Sequence, residues 1–372
     1  MPSFTLEKGV DFSYTDSGVP QDKQTDYVTL ILLHGIMFHN GKAIAYACRA
    51  DQIHLPPGTF ASLAEIGPSN GVRVIAVNRR GYPGTTPYSA EEMSLFVNGH
   101  EEDKERLLAE MGRDLALLIA GLIASLSLPP RVAVVGWSLG CLQVLSIVAS
   151  VENLPDEARR TLRRSVRSMI LFQGPTMVFA IPHPEGLHVP HSDPNIPPDE
   201  LSTFFARWVS SFFIHGDLSA HDSSALTYDR TDPHRPPTTA RVSMEHLIDF
   251  TASSKYDDAL ISPGFGGVTA KLVDKTLFDA HVRGELWKDT QFFVVAGSAD
   301  SWPAIYASWK LEGRMLAEAK PECSITFKML EGANHFVGHP YSLCSDATVL
   351  TSMQFMIEDP QGTIDCFKRC CV

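Results

Sequence analysis

Short apolar runs alternate along this chain with longer stretches whose apolar residues recur every three or four positions. Near the start, Phe4, Leu6, Val10, Phe12 and Tyr14 are interleaved with polar neighbours, and Asp16-Ser17-Gly18 follows as a turn. That pattern predicts an opening antiparallel hairpin. The runs at 27–33, 72–77, 131–135, 168–172, 291–296 and 324–329 are short and mostly apolar instead, of the kind expected for parallel strands buried on both faces. Helical spacing fills most of the intervals, notably 101–128 and 139–151. Such a succession predicts an α/β fold: a doubly wound, mostly parallel sheet of about eight strands with right-handed crossovers.

The regularity breaks after Gly174. Prolines crowd the next stretch (Pro182, Pro184, Pro190, Pro194, Pro197, Pro198, Pro233, Pro236, Pro237), and Phe204, Trp208 and Phe212 recur at a spacing of four. We read 175–288 as an inserted, mainly helical cap over the carboxyl edge of the sheet, where open α/β sheets bind ligands. The core then comprises 1–174 and 289–360, with a Cys-rich tail at 361–372.

Composition narrows the function. The 372 residues are 44% hydrophobic and 20% charged, with a net charge of −12 and no Lys/Arg run longer than a pair. A core-forming, acidic chain of this kind argues against nucleic-acid partners. The apolar stretch 115–128 is too short to span a bilayer, so stable membrane insertion is not expected. The N-terminal residues lack the basic-then-apolar pattern of a secretory signal. The seven cysteines are odd in number and the first four are scattered, which is no disulfide framework and favours a reducing, cytoplasmic location. The tail Cys366-Phe-Lys-Arg-Cys-Cys does not fit a prenylation signal; a frayed end carrying free thiols is the expectation, with palmitoylation the alternative.

Gly136-Trp137-Ser138-Leu139-Gly140 closes the apolar run at 131–135. A Gly-x-Ser-x-Gly turn between strand and helix holds the serine hydroxyl clear of the strand end, and side chains two positions before and after it would collide. Serine needs a base, and the base an orienting acid. Asp300 follows the run at 291–296, and His335 follows that at 324–329. The order Ser138, Asp300, His335 is that of a nucleophile-elbow enzyme. His339 is the second choice as base. No carboxylate lies near 172–176, which favours Asp300 as the acid. Main-chain N–H groups of Leu139 and Ile36 are the candidate oxyanion donors.

With these residues in order, the chain resembles an α/β-hydrolase-fold enzyme of the serine-nucleophile, cap-bearing branch. His34-Gly35, Asn78-Arg79-Arg80-Gly81-Tyr82, Gly136–Gly140, Gly297–Asp300 and Asn334-His335 match that family's landmarks. Asn78 stands where aspartate is frequent, no proline follows Ile36, and serine replaces the aspartate of epoxide hydrolases. The resemblance implies two-step acyl transfer on a small-to-medium apolar ester, lactone or thioester, without metal or cofactor. Same-fold C–C hydrolysis, lyase or acyltransferase chemistry, or a receptor-like protein with little turnover, are the alternatives. Trp137, Trp208, Phe212 and His34 are the candidate substrate contacts. The histidines at 183, 188 and 191 read as a proline-rich lid loop, since their spacing matches no zinc pattern. Gly264-Phe-Gly-Gly267 lacks the strand before and the Lys-Ser/Thr after that a phosphate loop needs.

Overall fold

A computed structural model describes residues 1–20, 26–41, 58–241, 251–252, 254–336 and 359–371. Its strands are β1 (Ser3–Thr5), β2 (Asp11–Asp16), β3 (Val28–Leu33), β4 (Val72–Val77), β5 (Val132–Trp137), β6 (Val166–Phe172), β7 (Gln291–Gly297) and β8 (Thr326–Leu330). They form one sheet in the order β1-β2-β4-β3-β5-β6-β7-β8. β1–β2 and β2–β4 pair antiparallel; every later pair is parallel.

The sheet interior is apolar on both faces because both are covered. Ile31, Leu33, Ile75 and Val134 pack to one side with α3 (Glu101–Ser125), α4 (Gly140–Ser150) and α5 (Asp156–Ser165). Leu30, Leu32, Val74 and Val135 pack to the other, against α1 (Ala61–Ile66). α2 (Ala90–Asn98) opens with a capping box at Ser89 and Glu92, which satisfies orphan N–H groups at a helix start. The helix predicted at 101–128 stops at Ser125, where Ser127 turns left-handed (φ 50°) ahead of Pro129 and Pro130.

The expected insert, 175–288, serves two places. Up to Ile261 it supplies 3₁₀ turns, α6 (Leu201–Val209) and α7 (Lys255–Leu260), which close over the carboxyl ends of the strands. From Gly266 it returns to the core. α8 (Gly266–Leu277) buries Val268, Val273 and Leu277 in the helix layer beside α3 and α4. α9 (Trp302–Glu318) then crosses between β7 and β8.

The tail is not frayed. α10 (Pro360–Arg369) starts on an Asp359 cap and buries Ile364, Cys366 and Phe367, with the Phe367 ring edge-on to Phe172 at 5.0 Å. Cys370 and Cys371 are buried as well. These cysteines lie on the apolar face of an amphipathic helix, so the frayed end expected from the sequence is replaced by a packed one. Cys141, Cys323, Cys366, Cys370 and Cys371 are all free thiols.

Candidate active site

β4 and β5 flank β3, so the chain's winding direction reverses at the carboxyl ends of β3 and β5. That crevice is the ligand position of an open α/β sheet. The turn after β5 fills it. Ser138 has φ 56°, a left-handed conformation that a non-glycine residue holds only where its surroundings impose it. A Cβ on Gly136 would strike the carbonyl of Gly140, and one on Gly140 the carbonyl of Leu33. Leu139 caps α4, so its N–H belongs to the partly positive end of a helix.

The loop after β3 approaches from the other side. A Cβ on Gly35 would stand 2.8 Å from Ser138 Cβ, so only glycine permits this approach. Ile36 and Leu139 line the same cavity as Ser138 and His335. Among the described residues no acceptor engages the N–H of either.

Asp300 is fully buried at the end of β7. Its Oδ1 accepts from the Ser301 N–H at 2.5 Å and from Ser301 Oγ at 3.1 Å. His335 Nδ1 lies 3.0 and 3.1 Å from the two carboxylate oxygens. A carboxylate accepts only, so Nδ1 carries the proton and Nε2 is left as the basic edge. Among the described residues Ser138 Oγ makes no hydrogen bond to the imidazole, although both face one cavity; such bonds are often long before substrate binds.

The imidazole's backbone is fixed by side chains whose part in this has no sequence signature: Trp137, expected at the substrate, together with Gln173 and Asn334. Trp137 Nε1 donates to the His335 carbonyl at 2.9 Å, and Gln173 Nε2 to the Asn334 carbonyl at 2.6 Å. Asn334 Nδ2 donates to the Ser210 carbonyl at 2.8 Å and to Thr238 Oγ1 at 2.9 Å. The Asp300 carbonyl faces His215 Nε2 at 2.8 Å, and burial lowers the His215 pKa. Asn78, in the aspartate position, accepts from the Asn40 N–H at 2.8 Å and donates to the Gly41 and Pro83 carbonyls. An aspartate could not make the last two bonds.

The cavity holds about 490 Å³ of space between the atoms, its mouth included. Its wall is mostly apolar: Ile36, Leu139, Met177, Phe205, Trp208 and Val209 among others. Three of the four expected substrate contacts lie elsewhere. Trp137 packs behind the turn against Phe38, Phe60 and Phe336. Phe212 lies beneath the Arg235 guanidinium at 3.5 Å, because α6 ends at Val209 and the spacing of four no longer carries it to the same face. His34 sits under the β3 loop, facing the Gly35 carbonyl. Trp208 does line the cavity, joined by Phe205 and Val209 at helical spacing.

The lid histidines go to separate partners. His183 meets Trp302, His188 meets Tyr228 and His191 meets Phe205. His191 also reaches the cavity, where burial lowers its pKa and Asp258 opposes that. Among the described residues no group of three or more His, Cys, Asp or Glu is placed to hold a metal ion, and no helix is long and apolar enough to cross a membrane. His339, the alternative base, lies outside the described residues.

The profile of the alpha/beta hydrolase family matches residues 30–342. No curated protein matches the chain. Solved structures that resemble it include a soluble variant of monoglyceride lipase from Saccharomyces cerevisiae, with 12% identity, 99% of this chain and 93% of that one covered, and a TM-score of 0.49. A thermophilic esterase from Thermogutta terrifontis has 14% identity, coverage of 100% and 97%, and a TM-score of 0.44. A serine hydrolase involved in carbazole degradation has 13% identity, coverage of 99% and 98%, and a TM-score of 0.46. At such identities the likeness says nothing of substrate.

Proposed function

The chain belongs to the α/β hydrolase family, and from that premise we propose that it is a serine hydrolase acting through an acyl-enzyme at Ser138 on a small-to-medium apolar ester, lactone or thioester. The observation that carries the reading is the convergence on one cavity of Ser138 and of a His335 whose Nδ1 is bound to buried Asp300. His335 Nε2 takes the Ser138 hydroxyl proton as Oγ attacks the substrate carbonyl. The developing oxyanion accepts from the N–H groups of Leu139 and Ile36. His335 then protonates the departing alcohol or thiol, activates water, and the acid leaves. Asp300 keeps the imidazole in the required tautomer and stabilises its cation. Losing one oxyanion donor typically costs about 10²–10³ in rate, so the two main-chain donors carry much of the proposed acceleration.

The apolar wall supports an acyl or alkyl chain over a charged substrate, since an unpaired buried charge is expensive. The test is hydrolysis of p-nitrophenyl esters of graded chain length in ¹⁸O-labelled water by wild type and Ser138→Ala. Turnover that places solvent oxygen in the acid and vanishes with Ser138 is the expected result. Activity retained in Ser138→Ala overturns the reading, and product without solvent oxygen assigns the acyl group to another acceptor.

A further inference from the structure

Behind the β3 loop stands a set of buried side chains that the proposed reaction does not touch. The Gly35 carbonyl accepts from Arg79 Nη2 at 2.8 Å and faces His34 Nδ1 at 2.9 Å. His34 Nε2 accepts from the Arg79 N–H at 3.1 Å, so Nδ1 is the edge that donates. A trans peptide is planar, and its C=O and N–H point in opposite directions. The Gly35 carbonyl and the Ile36 N–H are the two ends of one such plate. Donors gripping the oxygen from behind therefore aim the N–H at the far side, into the cavity.

The next residue is held as well. Met37 has φ 68°, a backbone state a non-glycine side chain disfavours. Its N–H donates to Tyr82 Oη at 3.0 Å. The Tyr82 hydroxyl in turn donates to the Asp257 carboxylate. Arg79 forks onto both oxygens of Asp257, at 2.9 and 2.7 Å. The fork fixes the guanidinium plane as well as its position. Arg79, Tyr82 and Asp257 are 2%, 3% and 0% exposed.

Asp257 is remote in sequence: it lies on α7, in the insert, and Ile261 just beyond that helix walls the cavity. We propose that Asp257 is the positioning residue of the oxyanion hole, acting through Arg79 and Tyr82, and that it joins the hole to the segment that walls the cavity. The inference rests on the hydrolase reading above. Substrate meets none of these three side chains. Their effect is on the direction of one N–H, so it falls on the transition state and spares ground-state binding.

Tyr82→Phe is the informative variant, because it removes the hydroxyl between Met37 and Asp257 and leaves the buried ion pair intact. Wild type and variant are compared in hydrolysis of p-nitrophenyl butyrate and in inhibition by a trifluoromethyl ketone of matching chain length, whose serine adduct carries the oxyanion. A misaimed donor is expected to lower kcat about tenfold and weaken the ketone by the same factor, with KM held within about twofold. Asp257→Asn, where it folds, goes further in the same direction. A folded Tyr82→Phe protein with wild-type kcat and wild-type ketone affinity overturns the proposal. So does a loss confined to KM, which would make the network a shaper of the pocket wall. Wild-type protein inert to both ester and ketone overturns the hydrolase reading itself, and is told apart because the variant is not needed to see it.

Discussion

At the scale of single residues, the site depends on side chains whose protonation is set by burial. The His34 pKa is pushed well below its ordinary value, by desolvation first and by the nearby Arg79 charge second. Folding therefore favours the neutral ring, which bridges the Gly35 carbonyl and the Arg79 N–H. An unfolded histidine titrates near pH 6.5, so as the pH falls the unfolded chain takes up its proton first. This contribution to stability is full above about pH 6.5 and declines below it, towards the lowered folded value. His183, His191 and His215 shift the same way, each through burial. Thermal unfolding at about pH 7.5 and 5.5 should show the loss, and His34→Gln should show less of it. An equal pH dependence in that variant would mean His34 is not one of the groups responsible.

Residue types at strand ends made Ser138, Asp300 and His335 legible as candidates for the proposed nucleophile, acid and base, because each follows an apolar run whose end is marked by a glycine turn. Asn334 stands out in the sequence only as the neighbour of His335, and its bonds to Ser210 and Thr238 have no local signature. The Arg79–Asp257 pair joins positions 178 apart, and nothing in spacing or composition announces it.

Among the elements, the central strands were the most legible, since burial on both faces forces mostly apolar runs. β8, at the sheet edge, is only half-buried and includes Lys328. The cap was the least legible. Its turns at Thr176–Phe179, Pro190–Ser192, Leu218–Ala220 and Ser223–Ala225 are 3₁₀, too short to carry a period. α6 carries the proposed selectivity: Phe205, Trp208 and Val209 face the cavity, while Phe204 on the same helix is 39% exposed. Trp208 is fixed by its bond to the Tyr228 carbonyl at 2.8 Å, so Phe205 is the better position to shorten. Phe205→Ala should move the preferred acyl chain longer by about two to four carbons, since a removed ring leaves room that aliphatic carbons can fill. A chain-length profile of kcat/KM checks this, and an unchanged profile would place the acyl chain elsewhere in the cavity.

For the molecule as a whole, the sheet brings three distant segments to one edge. The turns after β3, β5 and β7 emerge at that edge because these strands run parallel through β6. The parallel, doubly wound sheet was anticipated from the strand–helix succession, whereas its strand order and the return of α8 to the core layer were not, since an apolar helix face suits a cap as well as a core. The reading as a hydrolase depends on one serine being activated by this convergence. The most direct measurement is reaction of the purified protein with a fluorophosphonate, wild type beside Ser138→Ala, with the adduct located by peptide mass spectrometry. One adduct at Ser138, absent from the variant, is the predicted result. Labelling at another residue, or equal labelling of both proteins, would contradict it.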